Sequence, residues 1–190
     1  MIYNVFAILQ RINNVTTALR KCYIFIKTID ILIENYKIGI YHTRGIMRVI
    51  SGIAKGTKLN SIENLSTRPT LDRVKESLFN ILQNKIEDTV VLDLFSGSGA
   101  IAIEFLSRGA KQAYLCENNQ TAVKIIYANL EKTKLKEKSI VIAKDYKKAL
   151  ESIKQKQLQF DFIYLDPPYQ TNYAIEATKK ILSLDLLKEK

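Results

Sequence analysis

The chain has 190 residues, of which 29 are lysine or arginine and 19 are aspartate or glutamate, so its formal net charge is +10. With 47% hydrophobic residues it can form one domain with a full core, which excludes general disorder. One histidine, His42, and two cysteines, Cys22 and Cys116, are too few for a structural zinc cluster or a disulfide framework. Because His42 is the single histidine, a serine or cysteine hydrolase triad would have to use it, and any other such triad is excluded. We therefore expect a metal-free, cytoplasmic protein.

The charge and the apolar segments indicate the kind of partner. No apolar run near the start reaches the roughly 18 residues that a membrane span requires, and no base precedes the run that begins at Ile2, unlike in a secretory signal. We expect no membrane association. A positive protein commonly binds nucleic acid, but lysine-rich solvated helix faces produce the same excess, so charge alone leaves both interpretations open.

Two segments precede the regular part of the chain. Residues 1–46 carry no chemical motif beyond an apolar spacing that allows a short helix over residues 2–12, and we interpret them as an N-terminal extension without an assigned role. Residues 47–68 are predicted to form a small basic β-hairpin with turns at Gly52 and Gly56.

The rest of the chain has the pattern of a parallel α/β fold. An amphipathic helix is predicted from residue 71 to about Asn84, with Thr70 as its N-cap. Apolar segments and helical segments then alternate, over 90–95, 100–107, 113–116, 121–130, 140–143, 146–153, 160–165 and 173–182. Continuous apolar strands joined by helices indicate a doubly wound sheet, whose ligands bind at the carboxyl ends of the strands.

A glycine-rich loop follows the first of these strands, in the segment Asp93–Ala100. Gly97 and Gly99 allow a tight turn and a close approach of the backbone to a ligand, and the next helix presents its free N–H groups there. The spacing Gly97-x-Gly99-x-x-Ala102 also fits a dinucleotide fingerprint, so NAD is one candidate ligand. In either case Glu117, after the next strand, is placed to hold ribose hydroxyls.

The acid before the glycines distinguishes the candidate ligands. Asp93 suits a ligand with a positive amino group better than a pyrophosphate, which favours S-adenosylmethionine over NAD. Asp145 follows the third strand and either accepts a hydrogen bond from the adenine amine or caps the next helix. Phe95 is interpreted as a core residue or as a wall of the cofactor site, and Cys116 as a small buried residue rather than a nucleophile.

A second motif, Asp166-Pro167-Pro168-Tyr169, ends the fourth strand beside the glycine loop. An exocyclic amine of a nucleobase is a poor nucleophile because its lone pair is delocalised into the ring. The Asp166 carboxylate and the Pro167 carbonyl can accept hydrogen bonds from such an amine and stabilise the charge that forms on it. Tyr169 can stack on an extruded base. An ordinary turn is the alternative reading, but its coincidence with the glycine loop favours a methyltransferase site.

In order along the chain, these motifs resemble the RsmD-type 16S ribosomal RNA guanine-N2 methyltransferases, a family of class I S-adenosylmethionine-dependent enzymes. The specific part of the resemblance is N-terminal and consists of Met47–Gly52, Lys55-Gly56, Lys58-Leu59, Thr67–Thr70 and Asp72–Asn80. The later motifs are shared more widely, including with DNA adenine and cytosine amino-methyltransferases.

The resemblance covers residues 47–190 and implies an α/β, Rossmann-like class I methyltransferase fold with a mostly parallel doubly wound sheet, preceded by the basic hairpin. It implies methylation of a guanine N2 amine in 16S ribosomal RNA of the small subunit, with S-adenosyl-L-methionine as cofactor, and a monomer is favoured. The residues expected around the cofactor are Asp93, Phe95, Gly97, Gly99, Glu117, Asn118, Asp145 and Tyr146. Those expected to hold the guanine are Asp166, Pro167, Pro168 and Tyr169. Candidate phosphate contacts are Arg48, Lys55, Lys58, Arg68 and Arg73.

Two departures from the family matter. Residues 1–46 match nothing in it, and family members continue through a fifth strand and a closing antiparallel pair, so we expect a C-terminally truncated, incomplete sheet. The strand over 160–165 would then be an exposed apolar edge. Three other functions remain open: a DNA adenine-N6 or cytosine-N4 methyltransferase, a non-catalytic RNA-binding fragment and, last, an NAD oxidoreductase.

Overall fold

The computed structural model describes residues 23–26, 47–61, 72–168 and 172–188. In this part of the chain a sheet of five parallel strands has the order β1-β5-β2-β3-β4. The strands are β1 (Tyr23–Ile26), β2 (Val90–Asp93), β3 (Gln112–Cys116), β4 (Ser139–Ile142) and β5 (Phe162–Leu165). The helices are α1 (Asp72–Leu82), α2 (Ala100–Ser107), α3 (Gln120–Thr133), α4 (Tyr146–Gln155) and α5 (Tyr173–Ser183). Short 3₁₀ turns occupy Gln83–Lys85 and Lys136–Lys138.

The alternating strands and helices agree with the sequence prediction, and every shared boundary lies within three residues of the predicted one. The prediction succeeds because β2, β3 and β5 are buried on both faces and are therefore continuously apolar. None of the helices described is long and apolar enough to cross a membrane. The predicted cap Thr70 and the helix over 2–12 lie outside the described residues.

Alternate residues of each strand pack on opposite faces of the sheet, as the strand pleat requires. On one face, Val91 and Phe162 pack in a cluster with α1, α2, α3 and the segment 47–59. On the other face, Leu92 and Ile163 pack with α4 and α5. Helices on both faces of a parallel sheet make the fold doubly wound and Rossmann-like.

The prediction that the strand over 160–165 is an exposed edge is wrong. β1 pairs with β5 in a parallel register that runs from Tyr23 opposite Phe162 to Ile26 opposite Leu165. At the start of the same segment, Leu187 forms an isolated parallel bridge to Phe160. The unpaired backbone groups of an apolar edge attract any segment of high β-propensity, and Tyr-Ile-Phe-Ile is such a segment. Part of the N-terminal extension therefore belongs to the sheet.

Of the predicted hairpin over 47–68, the structure describes residues 47–61, which turn back on themselves with an antiparallel bridge between Arg48 and Lys58. Residues 62–68 lie outside the described residues. Its turn residues Gly52 and Gly56 have φ values of +84° and +82°, a region that side chains other than glycine rarely adopt. Gly52 also lies against α2, where a Cβ atom would come within 1.8 Å of the Ser107 carbonyl oxygen. The turn at Gly52 therefore requires glycine for two reasons, conformation and space.

Candidate active site

Four acidic residues lie at the carboxyl edge of the sheet, where a doubly wound fold binds its ligands. Asp93 is the last residue of β2, and Glu117 follows β3 directly. Asp145 lies three residues beyond β4, and Asp166 follows β5 directly. β2 and β5 are neighbours in the sheet, so Asp93 and Asp166 approach each other. The topology therefore brings together motifs that are up to 73 positions apart in the sequence.

The glycine loop connects β2 to α2 in a tight turn. The N–H of Gly99 donates to the Ser96 carbonyl at 2.7 Å, and φ is +54° at Gly97 and +77° at Gly99. A Cβ atom at Gly99 would lie 3.0 Å from the Leu115 side chain, so this glycine allows α2 to pack on the sheet. A Cβ atom at Gly97 would meet nothing within 4 Å. The backbone is therefore accessible at Gly97, where the sequence predicts a ligand.

Asp93 is buried, with 1% of its surface exposed, and neither of its carboxylate oxygens accepts a hydrogen bond of normal geometry. Burial raises its pKa to about 8, and the negative charges of Asp166 and Glu117 contribute to the rise. The Ala102 N–H and the Ser96 hydroxyl act in the opposite direction and offset only part of it. A buried carboxylate without a partner is costly, and it is suited to a cationic ligand that supplies the missing donor.

Glu117 connects the end of β3 to the glycine loop. One of its oxygens accepts the Gly97 N–H at 2.9 Å, and the other accepts the N–H groups of Asn118 and Asn119, each at 2.9 Å. Asn118 is exposed, and Asn119 caps α3 with its side chain. The carboxylate thus holds the loop in shape, while its half-buried position leaves it accessible from the site.

An aromatic cluster lies beside the loop. The rings of Phe95 and Tyr173 are parallel within 3° with centroids 6.5 Å apart, and Tyr146 lies 5.3 Å from the first and 5.2 Å from the second. Phe95 is only half-buried, so it belongs to the core and also faces the site edge. Asp145 caps α4 by accepting the Lys147 N–H at 2.9 Å, which is one of its two predicted roles.

The tetrapeptide motif follows β5 as predicted. Asp166 and Pro167 are half-buried and Pro168 is exposed, whereas Tyr169 lies outside the described residues. The charge of Asp166 acts directly on Asp93. Cys116, by contrast, is buried and free, and burial raises the pKa of its thiol, so it is the structural residue that the sequence predicts. Among the residues described, no group of three His, Cys, Asp or Glu side chains could hold a metal ion.

The candidate phosphate contacts are distributed over the hairpin and α1. Arg48, Lys55 and Lys58 are exposed on the hairpin. Arg73 lies in the first turn of α1, and Arg68 lies outside the described residues.

A buried carboxylate connects this hairpin to the core, and no sequence signal assigned it a role. Glu104 in α2 is fully buried and accepts the N–H groups of Ile50 at 2.8 Å and Ser51 at 3.0 Å. Lys75 is also fully buried, 3.5 Å from Glu104, and it donates to the Arg48 carbonyl at 2.7 Å. Charged residues in helices usually face solvent, so the positions of Glu104 and Lys75 in the sequence do not reveal this contact.

Tyr173 is a second residue without a predicted role. It is the first residue of α5 and 38% of its surface is exposed, so it presents an aromatic ring at the site edge. Its position four residues after Tyr169 is the only sequence signal that could have identified it.

Comparisons with known proteins agree with this geometry. The family model described as "Conserved hypothetical protein 95" matches residues 47–190. Ribosomal RNA small subunit methyltransferase D of Haemophilus influenzae is 36% identical over 154 residues, which is 80% of this chain and 79% of that protein. A candidate rRNA methyltransferase of Bacillus subtilis, YlbH, is 40% identical over 124 residues, 65% of this chain and 67% of that protein.

A solved structure supports the same assignment. The H. influenzae methylase candidate HI0767 superposes with a TM-score of 0.61 at 37% identity, covering 76% of this chain and 77% of its own. The region matched by the family model, residues 47–190, contains the hairpin, the glycine loop and the tetrapeptide motif. The chain belongs to the RsmD-type ribosomal RNA small-subunit methyltransferases.

Proposed function

We propose that this protein transfers the methyl group of S-adenosyl-L-methionine to the exocyclic N2 amine of a guanine in 16S ribosomal RNA. The observation that carries the proposal is the buried, unpartnered carboxylate of Asp93 beside Asp166, where the glycine loop meets the tetrapeptide motif. This edge of the sheet concentrates negative charge, so it favours a cationic cofactor. The family membership of the chain supports the choice of substrate.

The residues present fit the cofactor. Asp93 would accept a hydrogen bond from its positive amino group, which supplies the donor that the carboxylate lacks. Glu117 would hold the ribose hydroxyls, and Asp145 the adenine amine. The accessible backbone at Gly97 allows close approach, and the remaining proposed contacts are Phe95, Gly99, Asn118 and Tyr146. When bound, the cofactor supplies an electrophilic methyl group on a sulfonium.

The tetrapeptide would hold the guanine. Asp166 and the Pro167 carbonyl accept hydrogen bonds from the two N–H groups of the amine, which favours a pyramidal nitrogen and stabilises the positive charge that develops on it. Pro168 keeps this short segment rigid, and Tyr169 stacks on a base that has been flipped from its neighbours. Neither a metal ion nor a histidine is needed for these steps.

The hairpin and α1 would hold the RNA backbone. Arg48, Lys55, Lys58, Arg68 and Arg73 are the proposed phosphate contacts, which fix the position of the RNA without reading its sequence. We expect binding to weaken steeply as salt is raised. The unit that acts on RNA is proposed to span residues 47–190, with the hairpin over 47–68 and the Rossmann-like core over 69–190. We place it as a monomer in the cytoplasm.

A methyl-transfer assay tests the proposal by showing which nucleic acid accepts a labelled methyl group. The protein is incubated with labelled S-adenosylmethionine and unmethylated small ribosomal subunits, free ribosomal RNA or duplex DNA. Label in the ribosomal samples alone is expected. Label in DNA would instead favour the adenine-N6 or cytosine-N4 reaction, which uses the same kind of motif. Cofactor binding without any transfer would favour a non-catalytic RNA-binding protein.

A variant pair tests the role of Asp166. Asp166→Asn removes a charge next to the reacting amine, and we expect turnover to fall by about 100-fold or more. Cofactor affinity should be retained or rise, because the Asp166 charge raises the pKa of Asp93. The matched control is Asp88→Asn, an exposed aspartate before β2 at the opposite edge of the sheet, which should retain full turnover. A fully active Asp166→Asn variant would remove this residue from the mechanism.

A further inference from the structure

Asn129, in α3, belongs to no motif of the sequence, but its side-chain amide connects two distant segments of the chain. The side chain is fully buried, and it forms three hydrogen bonds with two separate segments. Its Oδ1 accepts the Asn60 N–H at 2.7 Å, and its Nδ2 donates to the Asn60 carbonyl at 3.0 Å. Nδ2 also donates to the Ser98 carbonyl at 2.9 Å. The amide thus uses one acceptor and two donors, which is the full donor capacity of an asparagine side chain.

The two segments belong to different parts of the proposed function. Asn60 lies in the basic hairpin, two residues after the Arg48–Lys58 bridge, and Ser98 lies between the two glycines of the cofactor loop. Ser98 also contacts the first residue of the hairpin, because its hydroxyl donates to the Met47 sulfur at 3.3 Å. The middle residue of the glycine loop is therefore connected to the hairpin at two points, directly at Met47 and through one buried amide at Asn60.

We propose that Asn129 is a positioning residue that couples the glycine loop to the hairpin, so that cofactor binding and RNA binding strengthen each other. This inference rests on the proposed function, which places the cofactor at the loop and RNA at the hairpin. If either segment moves away, the buried amide of Asn129 loses a hydrogen bond that water cannot replace. The arrangement therefore favours states in which the glycine loop and the hairpin are both ordered. A ligand that orders one segment thereby lowers the cost of ordering the other, and such coupling is reciprocal.

The chain offers a matched control at Ser107, in α2. The Ser107 hydroxyl also bonds to the hairpin, donating to the Ser51 carbonyl and accepting the Ala54 N–H at 3.0 Å. Neither of these bonds involves the glycine loop. Ser107→Ala and Asn129→Ala therefore both remove buried contacts to the hairpin, but only the second removes a contact to the loop.

The experiment measures RNA affinity with and without a saturating cofactor analogue. The probes are S-adenosylhomocysteine, which cannot react, and unmethylated small ribosomal subunits. In the wild-type protein we expect the analogue to tighten RNA binding by about 5-fold or more, the lower end of typical coupling. In Asn129→Ala this ratio should fall to about one. In Ser107→Ala the RNA affinity should fall by the same factor with and without the analogue, which preserves the ratio.

A second measurement does not depend on how well the variants fold. Hydrogen exchange of the Asn60 amide, which donates to Asn129, should slow in the wild-type protein when S-adenosylhomocysteine binds. A wild-type ratio of one, an unchanged ratio in Asn129→Ala, or an Asn60 amide insensitive to the analogue would each overturn the coupling. Failure of the coupling can be distinguished from failure of the proposed function. A wild-type protein that binds the analogue but methylates no guanine would overturn the proposed function alone. A wild-type protein that binds no analogue would overturn both the proposed function and the coupling.

Discussion

The ionisation of Asp93 makes a quantitative prediction about cofactor binding. The pKa of this buried carboxyl is about 8, so about a tenth of the molecules carry the charge at pH 7 before the cofactor binds. A cofactor with a positive amino group binds the ionised form, and each pH unit below 8 therefore weakens the apparent affinity about tenfold. The dissociation constant should fall by about a factor of ten between pH 6 and pH 7, with release of about one proton on binding.

Isothermal titration calorimetry of S-adenosylmethionine provides the assay. Titrations at pH 6.0, 6.5, 7.0 and 7.5, in two buffers with different ionisation enthalpies, give both the affinity and the number of protons released. Asp93→Asn should bind more weakly and without the pH dependence, because the asparagine cannot ionise. An affinity that is constant between pH 6 and pH 7.5, or binding without proton release, would show that ionisation of Asp93 does not control cofactor binding.

The same pKa has a consequence for stability. Because the native state holds the Asp93 proton up to about pH 8 and the unfolded chain releases it near pH 3.8, the native state loses stability as pH rises through this window. The full effect is about 5 to 6 kcal/mol, at about 1.4 kcal/mol for each tenfold change in ionisation. Asp93→Asn should therefore become progressively more stable relative to the wild type from pH 5 to pH 8, as measured by urea unfolding. A difference independent of pH would contradict the assignment.

Two further predictions concern the hairpin. Gly52→Ala should lower the free energy of unfolding by about 3 kcal/mol or more, because the new methyl group would overlap the Ser107 carbonyl. Gly56 has a similar φ but open space around it, so Gly56→Ala should lower the free energy of unfolding by only about 1 kcal/mol. Equal losses in urea unfolding would show that the packing on α2 is not the cause. Glu104→Gln removes the buried negative charge that lies 2.8 Å from Arg108 and 3.5 Å from Lys75 and should cost about 3 to 5 kcal/mol. A loss below about 1 kcal/mol would show that this charge is unimportant for stability.

The fold could be predicted largely because its strands are buried on both faces. β2 and β5 read as continuous apolar runs, and the helices between them show helical spacing, so the order of elements follows from the sequence. The glycine loop was recognisable because two glycines follow an apolar strand directly and precede a helical segment. Asp166 could be placed beside this loop because parallel topology brings the carboxyl ends of neighbouring strands together.

The features that could not be predicted depend on contacts between distant segments. The pairing of β1 with β5 joins residues about 140 positions apart, and four β-prone residues do not specify their partner strand. Glu104 and Asn129 are polar residue types that usually face solvent in helices. They hold the hairpin backbone only because the hairpin packs on α2 and α3. Local patterns report burial and periodicity, but they do not report which polar group a buried side chain meets.

Mass spectrometry of nucleosides identifies which base this protein methylates and at which atom. The protein is incubated with S-adenosylmethionine and unmethylated small ribosomal subunits, and the RNA is then digested to nucleosides. We expect N2-methylguanosine in the wild-type sample and a strong reduction of this nucleoside with Asp166→Asn. Methylation at a base other than guanine, or N2-methylguanosine formed equally well by the Asp166→Asn variant, would contradict the proposed function.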